Sequence, residues 1–247
     1  MKTAKFTAKI NDGRYARAIS SSARTLVASV LLGGVALGFT ACGGGGGDEA
    51  QVRVFHASPD APNVDVLIDG DRVLENVPYS VASDFIGIDA GDRRVQVNVA
   101  GTDTSAIETH AVFAKDTDYV LVAVDKVAKI SPLVFTADRT TPESGSARVR
   151  VLHSAASAPA VDVYVTAVDA GISNAKPTLS NVPFKAISDY LTVPAGTYDV
   201  FVTVAGTKNI AIQAKGLEIA DQLVATVAAL DAKGGGAPFS LQVLDER

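Results

Sequence analysis

Two histidine and aspartate pairs are the residues of this chain with the clearest capacity for chemistry. His56 precedes Asp65 and His153 precedes Asp162, each by nine positions. A carboxylate that orients an imidazole makes a base that works near neutral pH, and such a base beside a serine or a water would make a hydrolase. Two nearby serines, Ser58 and Ser157, stand at different offsets from the histidine in the two places, which argues against one shared mechanism. The plainer reading is that each histidine ends a strand and hydrogen-bonds the proline-containing loop that follows. His56, Asp65, His153 and Asp162 are then binding or loop-fixing residues, and no catalytic residue is assigned. Three histidines in all, His56, His110 and His153, with no short-spaced pair, do not make a zinc site. Asp69-Gly70-Asp71 lacks the spaced carboxylates of a calcium loop and reads as a hairpin turn. The runs Gly43 to Gly47 and Gly234 to Gly236 precede no Gly-Lys-Ser/Thr pattern, so no phosphate loop, metal or cofactor is expected.

The elements that position these residues are written twice. Val52-Arg53-Val54-Phe55-His56 matches Val149-Arg150-Val151-Leu152-His153, and Asn76-Val77-Pro78-Tyr79 matches Asn181-Val182-Pro183-Phe184. Ser83-Asp84-Phe85 returns as Ser188-Asp189-Tyr190, and Ala90-Gly91 as Ala195-Gly196. The offset grows from 97 to 105, so the second copy carries a longer loop between Val165 and Asn181 where the first has the tight turn Asp69-Gly70. Two copies are too few for a solenoid and read as tandem domains.

Within each copy the segments are short, rich in valine and isoleucine, and alternate apolar with polar, as in Val95 to Val99. That is the period of a half-buried strand. Strands are expected in the first copy at Val52–His56, Val64–Ile68, Arg72–Leu74, Asp84–Ile88, Arg93–Ala100, Ser105–Phe113 and Tyr119–Val124, with an edge at Ile130–Phe135. The expected fold is all-β, with two tandem antiparallel immunoglobulin-like β-sandwich domains. The chain divides into a signal peptide (1–41), a tether (42–50), a first sandwich (51–138), a polar linker (139–146) and a second sandwich (147–247).

Six basic residues between Lys2 and Arg24 precede an apolar, small-residue run from Leu26 to Ala41, the form of a signal peptide and short for a span of about twenty residues. Phe39-Thr40-Ala41-Cys42 resembles the bacterial lipoprotein cleavage box, with Phe39 where that family prefers leucine. The resemblance implies that Cys42, the chain's only cysteine, becomes the lipidated first residue and anchors the protein to a membrane. Gly43 stands where inner-membrane lipoproteins tend to carry aspartate, which implies the outer membrane, facing periplasm or surface; a secreted protein cut near Ala41 is the alternative. The glycine tether would hold the first domain on the order of 15 to 18 Å from the head groups. Without residues 1–42 the chain keeps 16 of its 22 basic and 26 of its 27 acidic residues, a formal net charge of −10, which argues against nucleic acid as a partner.

The run His56 to Asp65, the Val-Pro-aromatic turn, the Ser-Asp-aromatic strand and the Ala-Gly turn resemble the bacterial domain family of unknown function DUF4397, in two copies. The resemblance implies an extracytoplasmic β-sandwich, often tandem and lipid-anchored, with no assigned activity. The expectation is a non-enzymatic binding or scaffold module for another envelope protein or glycan. A hydrolase of envelope polymers using His56 or His153, and a plain spacer, are the competing readings.

Overall fold

The computed structural model describes residues 48–247; the expected signal peptide, Cys42 and the glycine run lie outside the described residues. The first half forms β1 (Glu49–Ala57), β2 (Val64–Ile68), β3 (Asp71–Val77), β4 (Ile86–Asp89), β5 (Gly91–Val99), β6 (Ser105–Phe113), β7 (Asp118–Val124) and β8 (Ser131–Ala137). The second forms β9 (Ser146–His153), β10 (Val161–Ala167), β11 (Leu179–Val182), β12 (Leu191–Pro194), β13 (Gly196–Val204), β14 (Ile210–Ile219), β15 (Val224–Leu230) and β16 (Ser240–Asp245). The fold is all-β in two tandem sandwiches, and each expected strand of the first copy overlaps one of β1 to β8, although Asp84 and Phe85 precede β4 rather than opening it. Among the described residues no helix is long and apolar enough to cross a membrane.

Each sandwich pairs two four-stranded sheets, β4-β1-β7-β8 over β3-β2-β5-β6 and β12-β9-β15-β16 over β11-β10-β13-β14. One pairing in each departs from the expected antiparallel pattern: β1 runs parallel to β7 and β9 parallel to β15. The cause is connectivity. Hairpins make antiparallel neighbours, but between β1 and β7 the chain crosses to the other sheet and back twice, returning first as β4, antiparallel to β1, and then as β7, beside β1 in the same direction. The two-residue turn Asp69-Gly70, with φ of 53° and 95°, joins β2 to β3 as its sequence requires.

Alternation then fills the sandwiches. Val52, Val54, Val64, Val66, Val95, Val97, Ile107 and Leu121 face one another in the first core, and Val161, Val163, Val200, Val202, Ile212 and Val227 in the second. A third apolar cluster belongs to neither. Phe55, Val120, Val122 and Val124 of the first unit pack against Leu152, Ala228, Leu230 and Leu244 of the second, all at most 2% exposed. The outer faces of the β4-β1-β7-β8 and β12-β9-β15-β16 sheets are thus buried against each other, giving four layers from end to end. Residues 48–247 hold both sandwich cores and this seam. The eight-residue insertion of the second copy lies between β10 and β11, where Ile172 folds over Tyr164 and Phe201 on the outer sheet.

Truncating a buried aromatic typically costs about 3 to 5 kcal/mol. Phe55→Ala is therefore expected to lower stability by about that much, although Phe55 lies in neither sandwich interior. Urea unfolding of residues 48–247 should show one transition for both units; two separate transitions, with only the first shifted by the substitution, would show the seam to be energetically empty.

Candidate functional site

The structure separates each histidine from its aspartate. His56 and His153 are fully buried at the ends of β1 and β9, and their Nε2 atoms lie 3.0 Å from the Pro62 carbonyl oxygen and 2.9 Å from that of Pro159. A carbonyl only accepts, so Nε2 carries the proton in both. At His56 the other nitrogen, Nδ1, accepts the Ser58 N–H at 3.3 Å. The aspartates face the other way. Asp65 accepts the N–H groups of Asn76 and Gly101 at 2.7 and 3.0 Å, and Asp162 accepts those of Asn181 and Gly206 at 2.7 and 2.8 Å. Asn76 and Asn181 have φ of 53° and 52°, so each carboxylate clamps a left-handed residue to the next hairpin. Neither His56 nor His153 meets its aspartate, and burial holds both histidines below their ordinary pKa, against the pull of the proline carbonyl bond.

The third histidine is elsewhere: His110 is exposed on β6 and meets Asp92 at 3.2 Å. Ser157 contributes its N–H to Asp231, and the Ser58 hydroxyl is buried without a hydrogen-bond partner. Among the described residues no group of three or more His, Cys, Asp or Glu could hold a metal ion.

What the repeated residues do build is the seam. The rings of Tyr79 and Phe184 stand edge-on to His56 and His153, at 6.1 and 6.0 Å. From there the Tyr79 hydroxyl donates to the Asp231 carbonyl of the other sandwich at 2.8 Å. The residue after Phe184, Lys185, reaches back to Asp125 and Ser131 at 3.1 and 2.9 Å. By strand register Asp125 and Asp231 are the same position of the two copies, so the contacts are related by an approximate two-fold axis. The repeated arginines obey the same relation. Arg53 donates to the Asp245 carbonyl and Arg150 to that of Thr136, and these acceptors also match by register.

Only one of the two arginines is paired with an acid. Arg150, 6% exposed, gives Nη2 to Glu246, 1% exposed, at 2.9 Å and Nε to Thr226 at 2.8 Å. Glu246 also accepts from Thr226 and Tyr190. The guanidinium lies 4.4 Å from the Tyr190 ring centre and 4.7 Å from that of Phe135. Burial, then the Glu246 hydrogen bond and charge, push the Tyr190 hydroxyl well above the ordinary phenol range. Arg53 instead stacks on Phe85, which Arg139 covers at 4.5 Å. The sequence reading missed this cluster. The signal was in the strands beside it, Val120-Leu-Val-Ala-Val124 and, but for Thr226, Val224 to Leu230, which run apolar without alternation, as strands covered on both faces do.

Two substitutions test this account. Glu246→Ala strands a buried guanidinium and is expected to cost about 3 to 5 kcal/mol in urea unfolding; a change below 1 kcal/mol would show that Arg150 finds solvent. The histidines carry a pH dependence. Their folded pKa is depressed, so below about 6.5 the unfolded chain takes up protons that the folded one refuses. Stability is complete above that pH and falls as acid is added, by up to about 1.4 kcal/mol per pH unit for each histidine. His56→Gln with His153→Gln should flatten the loss between pH 7.5 and 5, and an unchanged slope would assign it to other groups.

The model of the family described as Domain of unknown function (DUF4397) matches residues 50–164 and 165–247, the two segments meeting inside β10. No curated protein matches. Among solved structures, the chain is similar to CBMbc (family CBM26) from Eubacterium rectale Amy13K, in complex with maltoheptaose. That alignment has 11% identity and a TM-score of 0.25, and spans 80% of this chain and 96% of that one. A "putative adhesin" from Bacteroides ovatus aligns with 11% identity and a TM-score of 0.24 over 79% of this chain and 92% of its own. Scores this low carry no argument about ligand or activity.

Proposed function

The chain belongs to the family Domain of unknown function (DUF4397) in two tandem segments, and on that premise we propose that it is a lipid-anchored, non-enzymatic scaffold of the cell envelope that binds another envelope protein or glycan. The observation that carries this reading is the use to which the repeated, chemistry-capable residues are put. Both histidines are sealed in corners with Nε2 engaged, and the repeated aromatics and arginines are spent on the seam. A hydrolase with His56 or His153 as its base would need the unprotonated Nδ1 at a substrate, and both rings are buried, with Nδ1 of His56 taken by the Ser58 N–H. The anchor rests on the basic, apolar and cysteine pattern of residues 1–42, which supports attachment through Cys42, and Gly43 after it supports the outer membrane.

The seam also limits where a partner can dock. With the two inner sheets buried against each other, the outer sheets, edges and loops remain. The outer face of the second sandwich is covered in part by the insertion around Ile172. That of the first is open and polar, with Arg94, Gln96 and Glu108 on β5 and β6, and Arg94 and Glu108 3.5 Å apart. A face with paired charges and amides suits a hydrogen-bonding partner better than an apolar one.

Residues 48–247, immobilised as bait against solubilised envelope extract, should retain a saturable component. Arg94→Ala with Gln96→Ala should release it, whereas His56→Ala should lower the melting temperature and leave retention by the remaining folded protein unchanged. Turnover of an envelope polymer that disappears with either histidine would overturn the proposal in favour of the hydrolase.

A further inference from the structure

Each four-stranded sheet ends in two edge strands, and an edge offers its unpaired N–H and C=O groups to any strand that approaches. The edges among the described residues are β3, β4, β6, β8, β11, β12, β14 and β16, and all but β6 are blunted. β4, β11 and β12 are only four residues long. β3 shifts register against β2 and carries Asp71, Arg72 and Glu75, and β8 holds Pro132. β14 shifts register against β13 and carries Lys215 before Gly216, whose φ is 65°. β16 lies beside β14 of the facing sheet and gives its Asp245 carbonyl to Arg53. β6 has none of these devices: it is nine residues long, keeps one register with β5 from Ile107 to Phe113, and contains no proline, lysine or arginine.

The groups that β6 leaves unpaired follow from the ladder. Asp69 donates its N–H to the Arg94 carbonyl at 2.8 Å, so the backbone of Arg94 faces β2 and that of Arg93, Val95 and Val97 faces β6. Their partners Ala111, Thr109 and Ile107 bond back to β5, and Glu108, His110 and Val112 turn N–H and C=O off the edge. Of these groups the His110 carbonyl meets the Thr109 hydroxyl at 3.4 Å. The side chains of the same three residues stand on the solvent face of the sheet. Glu108 and His110 are exposed, and Val112, at 72%, is the most exposed large apolar side chain among the described residues.

We infer that β6 pairs antiparallel with β6 of a second copy of this chain, joining the two outer sheets into one. Charge selects the register. Bonded pairs must join residues whose backbones face off the edge, so the pairing can centre on Glu108, Thr109 or His110. Centred on Glu108 it sets that carboxylate against its own copy. Centred on His110 it sets imidazole against imidazole and leaves Glu108 opposite Val112. Centred on Thr109 it places each Glu108 opposite His110 of the other copy, brings Val112 opposite Ala106, and engages the whole of β6. Opposite charges facing across strands stabilise a pair and like charges oppose it. The ion pairs already on the face continue the pattern, Arg94 with Glu108 at 3.5 Å and His110 with Asp92 at 3.2 Å, so acid and base alternate across the junction as Asp92, His110, Glu108 and Arg94. A two-fold contact of this kind closes on itself and uses the free edge of both copies. It doubles the polar face assigned to an envelope partner without covering it, and does not depend on that partner.

The test is sedimentation equilibrium and amide hydrogen exchange of residues 48–247 over a concentration series reaching the millimolar range. A reversible shift from monomer to dimer is expected, with no larger species. The amides of Glu108, His110 and Val112 should slow as the dimer fills, while those of Ile107, Thr109 and Ala111 are slow throughout. Val112→Lys puts at a solvent-exposed position the lysine that guards other edges. Because it acts twice in a two-fold contact, it should weaken the dimer about tenfold or more and leave the melting temperature of the dilute protein unchanged. Glu108→Lys should weaken the dimer too, and Glu108→Lys with His110→Glu, which exchanges acid and base, should restore it. A monomer at every concentration, a dimer in which the three edge amides exchange as fast as in dilute protein, a dimer indifferent to Val112→Lys, or a double exchange no tighter than Glu108→Lys alone would each overturn the inference.

Discussion

Everything in this molecule depends on hiding two sheet faces from water at once. A sandwich normally buries one face of each sheet and wets the other. Here β7 and β15 are apolar on both faces, and the second face has no cover within its own domain. Each unit supplies the cover for the other. The tandem duplication is therefore part of the folding problem, and the seam behaves as a third core rather than as a contact between two finished domains.

The polar groups of the seam follow from that burial. Taking Arg150 and Glu246 out of water is costly and is offset only when every donor and acceptor is satisfied, and here Thr226, Thr136 and Tyr190 complete the set. The approximate two-fold relation resembles the isologous contact of a homodimer in which the two halves have become one chain. It is not kept everywhere. Arg150 faces an acid and a tyrosine, and Arg53 faces a phenylalanine and carbonyl groups. Once both copies lie in one chain, each half can change without its mirror position changing too.

The same freedom reached the interiors. The first sandwich keeps an aromatic pair, Phe113 and Tyr119, between β6 and β7, and the second, with Ile219 and Ala225 at those positions of the register, has smaller side chains and a cavity of about 80 Å³. The second also gained the insertion that folds over Tyr164 and Phe201, with Lys208 above the Tyr164 ring at 4.3 Å. The outer sheet and the core of the second unit are thus further places where the copies have diverged.

Strands, sandwiches and their duplication were legible in the sequence because they rest on local rules: two-residue alternation, the Asp-Gly turn, and a matched run of motifs. The Asp65 and Asp162 carboxylates could be singled out as repeated, but nothing in their spacing told that they bind hairpin N–H groups rather than an imidazole, since nine residues of chain spanning a strand end do not specify which side of the sheet a side chain leaves. The parallel pairing of β1 with β7 depends on the path between them, which composition does not carry. The meeting of Arg150 with Glu246 and the void left by Ile219 and Ala225 belong to the tertiary structure alone. They join positions up to 96 residues apart, and only when strands from distant parts of the chain are stacked do their charges and volumes have to match.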